Sequence, residues 1–191
     1  MTKTLLQSCA VAPLTFAVAI SCTAAFAQTK PAAKKPAAKP EPTEQAVLLG
    51  QFGDWGAYKA TPGGKKVCFA LSKPTSAVIV PSNKKRDPSY AFVSTRPAEK
   101  VRNEVSVIVG YPQKAGVDAM ATIGAANYAL YTQNDGAWVK NAAEEAQMVE
   151  TMRKGSELVV KSVSHTGART MDTYSLKGLD QALDKVAEEC K

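Results

Sequence analysis

Apolar and polar residues alternate in short runs along most of the chain. In NEVSVIVGY, Val105, Val107 and Val109 fall on one face, and Glu104 and Ser106 fall on the other. Seven further runs are rich in aromatic and β-branched residues: Phe52–Ala60, Lys66–Leu71, Tyr90–Thr95, Asp118–Ile123, Tyr128–Gln133, Glu157–Val163 and Thr170–Leu176. Turn-forming residues separate them, among them Pro62-Gly63-Gly64, Asp87-Pro88, Pro112, Gly124, Asn134-Asp135-Gly136 and Gly167. Many short strands at this spacing predict a mainly β, antiparallel sandwich rather than a parallel sheet wrapped in helices.

Two segments carry the helical period instead. Ala142–Lys154 follows a candidate cap, Asn141, and stops at Gly155, with an acidic start and a basic end that suit the helix dipole. Near the C-terminus, Leu179, Ala182, Leu183, Val186, Ala187 and Cys190 form one continuous helical face. That face turns Cys190 toward the core.

The N-terminal residues follow other rules. Lys3, an apolar stretch from Ala10 to Ile20 and the small residues ending at Ala25-Phe26-Ala27 have the order of a secretory signal, residues 1–27, with cleavage expected after Ala27. The apolar stretch is interrupted and short of the ~20 residues a span requires, so no membrane span is expected after cleavage. Residues 28–46, QTKPAAKKPAAKPEPTEQA, hold no large apolar residue and are read as an extended Lys/Ala/Pro-rich linker. The folded body then occupies residues 47–191.

Composition narrows the function classes. The chain has 191 residues, 45% hydrophobic and 21% charged, with a net charge of +7. This suits a single domain with a real core. From Leu48 onward there are 19 Lys+Arg and 15 Asp+Glu, spread along the segment rather than gathered in a basic stripe with interleaved aromatics. A nucleic-acid partner is therefore not expected.

Removal of Cys9 and Cys22 with the signal leaves Cys68 and Cys190. In an oxidising compartment they have one intramolecular pairing available, from the strand KVCFAL to the terminal helix. A bridge closing so long a loop stabilises by ~4–5 kcal/mol on the chain-entropy model. Two buried free thiols, or a bridge between chains, are the alternatives.

Candidate chemistry is sparse. His165 is the sole histidine, and Ser162, Ser164 and Asp172 are near it in sequence without a G-x-S-x-G elbow. One histidine and two cysteines with a pairing available leave no nitrogen or sulfur ligand set for a metal, and neither a catalytic residue nor a cofactor is expected. Lys84, Lys85, Arg86, Arg96 and Arg102 are candidate contacts to a partner, because guanidinium and ammonium groups capture anions. Trp55 and Trp138 are read as anchors of the core or half-core.

The strings FGDW (Phe52–Trp55), RDPSYAFVSTRP (Arg86–Pro97), VRNEVSVIVGYP (Val101–Pro112), DGAWVKNAAEEA (Asp135–Ala146), MRKGSELVVK (Met152–Lys161) and DTYSLKGLDQAL (Asp172–Leu183) occur in an order that resembles the invasion-associated locus B (IalB) family. The resemblance spans nearly all of the chain after the linker. It implies an immunoglobulin-like β-sandwich and an exported periplasmic, outer-envelope or secreted protein of Gram-negative bacteria, without enzymatic activity and associated with host-cell entry. Its partner would be an envelope or host protein, or an anionic envelope polymer. The rival expectation is a periplasmic hydrolase or small-ligand-binding domain with a pocket near His165 and Trp138. GAYKA follows the GDW string where many members have a cysteine, so a second bridge is absent.

Overall fold

A computed structural model describes residues 45–191. The expected signal and nearly all of the expected linker lie outside the described residues. Eleven strands are present: β1 (Val47–Phe52), β2 (Trp55–Ala60), β3 (Val67–Ser72), β4 (Ser76–Val80), β5 (Tyr90–Arg96), β6 (Val101–Ile108), β7 (Ala119–Ile123), β8 (Ala126–Gln133), β9 (Gly136–Val139), β10 (Glu157–Val163) and β11 (Arg169–Ser175). Two helices complete the described body, α1 (Ala142–Lys154) and α2 (Leu179–Glu189). Neither is long and apolar enough to cross a membrane.

The mainly β, antiparallel expectation stands, but the strands form one sheet. Hydrogen bonding runs unbroken in the order β1-β2-β3-β5-β6-β9-β8-β7-β10-β11-β4. The expected immunoglobulin-like pair of sheets is not what this bonding shows. The sheet curls until strands near its opposite ends meet: Trp55 Nε1 on β2 donates to Ser175 O on β11 at 2.8 Å, and Asp54 N donates to Lys177 O at 3.0 Å. A curled sheet buries alternate residues just as two facing sheets do, so alternation could not separate the two arrangements.

Three strand boundaries depart from the sequence reading. The run Phe52–Ala60 opens on a turn at Gly53-Asp54 and supplies only β2, while β1 lies before it and is not marked by the pattern. β4 and β9 are strands that the pattern did not mark. β9 has only four residues and opens on a glycine, and β4 is exposed along most of its length. The valine alternation of β6 holds, with Val105, Val107 and Val109 fully buried.

The core lies between the concave face of the sheet and the two helices. α1 buries Met148, Val149 and Met152. Its cap is the expected one: Asn141 Oδ1 accepts from Ala143 N and Glu144 N at 3.1 and 3.0 Å, a contribution of about 1 kcal/mol. α2 buries Leu179, Ala182, Leu183 and Val186. It begins at Gly178, where φ is +91° and an added Cβ would sit 1.9 Å from Phe52 O, so glycine is required.

The bridge between Cys68 and Cys190 is present, joining positions 122 apart with a Cα–Cα distance of 5.9 Å. It fastens the end of α2 to β3. Lys59 Nζ to Glu189 Oε1, at 2.7 Å, and Lys66 Nζ to Glu189 O, at 3.0 Å, lie beside it.

Candidate functional site

The connection from β4 to β5, residues 81–89, turns over one end of the curled sheet and meets the β10–β11 turn. Between them lies a cleft of about 630 Å³, lined in part by Ile79, Lys84, Lys85, Arg86, Tyr111 and His165. By sequence, His165 and the Lys84-Lys85-Arg86 cluster belong to different expectations. The fold places them at one site.

Backbone geometry holds the connection in place. Asp87 N donates to Gly110 O at 2.9 Å. Gly110 has φ +76°, and a Cβ there would lie 2.0 Å from Asp87 O. Only glycine permits this approach.

Arg86 is the main side-chain anchor. Nη1 donates to Asp172 Oδ2 at 2.7 Å and to Val109 O at 2.9 Å, and Nη2 donates to Asp172 Oδ1. The pair is nearly closed to solvent. The bidentate bond to Asp172 raises the Arg86 pKa against the opposing effect of burial. Beside it, Tyr111 Oη and Thr170 Oγ1 are 2.6 Å apart. Burial raises the Tyr174 hydroxyl pKa. Arg86 thus ties the loop to β11, with its guanidinium already bonded to Asp172 and to Val109 O.

Lys84 and Lys85 are exposed and make no ion pair among the described residues. They remain the cationic groups of the cleft, with Asp87 as an acidic neighbour.

Arg96 and Arg102 are elsewhere. Arg96 donates from Nε to Glu99 at 2.7 Å and through Nη1 and Nη2 to Glu104 at 2.6 and 2.9 Å. These bonds raise its pKa, the Glu104 pair most. Arg102 is the second residue of β6, eight residues before Gly110, which is roughly 25 Å at the rise of an extended strand. The five residues read as one contact set therefore divide between two ends of the sheet, and Arg96 is already engaged.

The residues of the hydrolase reading do not assemble. His165 Nδ1 lies 3.2 Å from Pro112 O, and its backbone N donates to the same carbonyl at 3.0 Å. Ser162 Oγ donates to Gln113 Oε1 at 2.6 Å in the interior. Ser164 Oγ accepts from Ala168 N at 2.9 Å, which closes the hairpin. Asp172 is held by Arg86. Trp138 lies on the outer face of β9, stacked on Tyr131 at 5.6 Å between ring centres, outside the cleft lining. Trp55 is the core anchor expected.

A second concavity escaped the sequence reading. On the outer face of β4, β11, β10 and β7 a shallow groove of about 420 Å³ is lined by Val78, Val80, Met120, Val163 and Met171, with Lys161 and Arg169 among them. Its signal in the sequence was the unmarked run Ser76–Val80. Among the described residues no three His, Cys, Asp or Glu side chains converge as metal ligands do.

The family model described as "Invasion associated locus B (IalB) protein" matches residues 60–187. No curated protein and no solved structure matches the chain.

Proposed function

The chain belongs to the invasion associated locus B family, and from that premise we propose that it is an exported, non-enzymatic protein of the cell envelope that works by contact with a partner. The partner is an envelope or host protein, or an anionic envelope polymer, and the association of the family with host-cell entry extends to this chain on this reading. The order of residues 1–27 supports export, and a disulfide suits an oxidising compartment.

The observation that carries the contact reading is the state of the cleft's cations. Arg86 is consumed in holding the loop down, whereas Lys84 and Lys85 project beside it with no carboxylate partner among the described residues. Charges left uncompensated on a concave surface favour an anionic partner and speed its arrival. The side chains of the hydrolase reading are each held by other groups, which favours binding over catalysis.

The test is retention of envelope components on the immobilised protein, compared with the variant Lys84→Glu with Lys85→Glu. Retention should fall in the variant and weaken with rising salt. Retention unchanged by the charge reversal would remove the cleft from the mechanism. Fractionation of the expressing cell, with non-reducing gels, tests export separately.

A further inference from the structure

We propose that the open edge of β4 receives an extended protein segment in which apolar and acidic residues alternate, adding it to the sheet as a further strand. This narrows the contact reading of the cleft and rests on it.

β4 is the last strand of the sheet and has a neighbour on one side only. Proteins usually guard such an edge with lysine, proline, a bulge or a covering element. The residues Ser76-Ala77-Val78-Ile79-Val80 carry no charge and no proline, and Val78 and Val80 are 42% and 59% exposed. At the opposite edge the register of β1 shifts between Leu48 and Gly50, and α2 packs against that strand. The β4 edge lacks both devices. Unpaired backbone groups along it are a template for strand addition.

The two faces of β4 differ in a way that specifies the occupant. On the outer face, Val78 lies beside Met171, which is followed across the sheet by Lys161 and Met120. Val80 lies beside Arg169, followed by Val163. On the inner face, Ile79 lines the cleft that holds Lys84 and Lys85. Side chains of an added strand alternate between these faces with period two. One set meets valine and methionine side chains with Lys161 and Arg169 among them, and the other set meets two lysines.

Lys161 and Arg169 add to the same charge bias, since neither makes an ion pair among the described residues, while Asp118 in that groove is taken by Lys140 at 2.6 Å. The chain's own tract 28–46, with Lys30, Lys34, Lys35 and Lys39 against Glu41 and Glu44, has the wrong sign for this edge. A second copy paired β4 to β4 would bring two cationic faces together.

The experiment is amide hydrogen exchange by NMR on the full-length, disulfide-intact protein, titrated with a capped synthetic octapeptide of alternating valine and glutamate. A matching peptide with lysine in place of glutamate is the control. The valine–glutamate peptide should slow exchange of the outward β4 amides about tenfold or more at saturation, as protection follows hydrogen bonding. The variant Val78→Glu should lose that protection while keeping its thermal midpoint.

Equal protection by the lysine peptide, or none by either, overturns the proposal. So does β4 protection that grows with protein concentration in the absence of peptide, which would make a second copy the occupant. Peptide-induced shifts confined to Lys84, Lys85 and His165, with β4 exchange unchanged, overturn strand addition and leave the contact reading standing. The contact reading falls separately, on unchanged retention by the lysine-reversed variant.

Discussion

Arg86 and Asp172 close a bidentate pair across 86 positions of chain, joining the β4–β5 connection to the middle of β11. Through it the loop that presents Lys84 and Lys85 is tied to the sheet interior. One ion pair thus shapes the cleft.

Removing one member leaves the other charged and enclosed. Asp172→Ala should cost about 3–5 kcal/mol, the range for breaking a buried pair. Urea unfolding of the oxidised protein measures this. The double variant Arg86→Met with Asp172→Leu should lose less than Asp172→Ala alone, because no orphaned charge remains.

The bridge between Cys68 and Cys190 should contribute about 4–5 kcal/mol through the long loop it closes. Cys190→Ser should lower the urea midpoint accordingly, and added reductant should lower that of the parent but not of the variant. Because the bridge pins the end of α2, amides of Leu179–Glu189 should exchange first after reduction.

Glu145 gives a pH dependence whose sign follows from its burial. Its Oε1 accepts from Val105 N at 2.7 Å, joining α1 to β6, and its pKa is raised, chiefly by burial. A carboxyl raised in the folded state contributes stability below its unfolded pKa and loses it as pH climbs through the folded value. Glu145→Gln keeps an acceptor without the charge. It should match the parent near pH 4 and exceed it at pH 7 in thermal unfolding.

Gly110→Ala places a Cβ against Asp87 O at a positive φ. The strain of a left-handed non-glycine residue is about 1–3 kcal/mol, before any movement of the loop. The thermal midpoint should fall. Retention of envelope components should fall with it at temperatures where the variant is still folded, since the loop carrying Lys84 and Lys85 must shift.

Elements with a strong period or cap were legible from residues alone. The valine alternation of β6, the Asn141 cap of α1, the apolar face of α2 and the bridge it carries all appear as expected, because each depends on residues close in sequence or on a pairing with few alternatives. β9 was missed because four residues opening on glycine carry no period. β4 was missed because its two faces are both largely exposed, so its sequence SAVIV lacks the polar half of an alternation.

Of the site, local chemistry identified the cationic cluster and the histidine as noteworthy, yet not that they share a cleft. Nor could it say that Arg86 and Arg96 are already engaged by Asp172, Glu99 and Glu104. Sequence alone determined the character of most strands and both helices, the one intramolecular pairing open to the cysteines and the family resemblance, all of which follow from residue type and spacing. Only the tertiary structure decided that one sheet curls on itself, which lysines are left without partners among the described residues, and which edge stays open. Those outcomes depend on charges and strands brought together from positions up to a hundred or so residues apart, and pairing at that range leaves no mark in the local pattern.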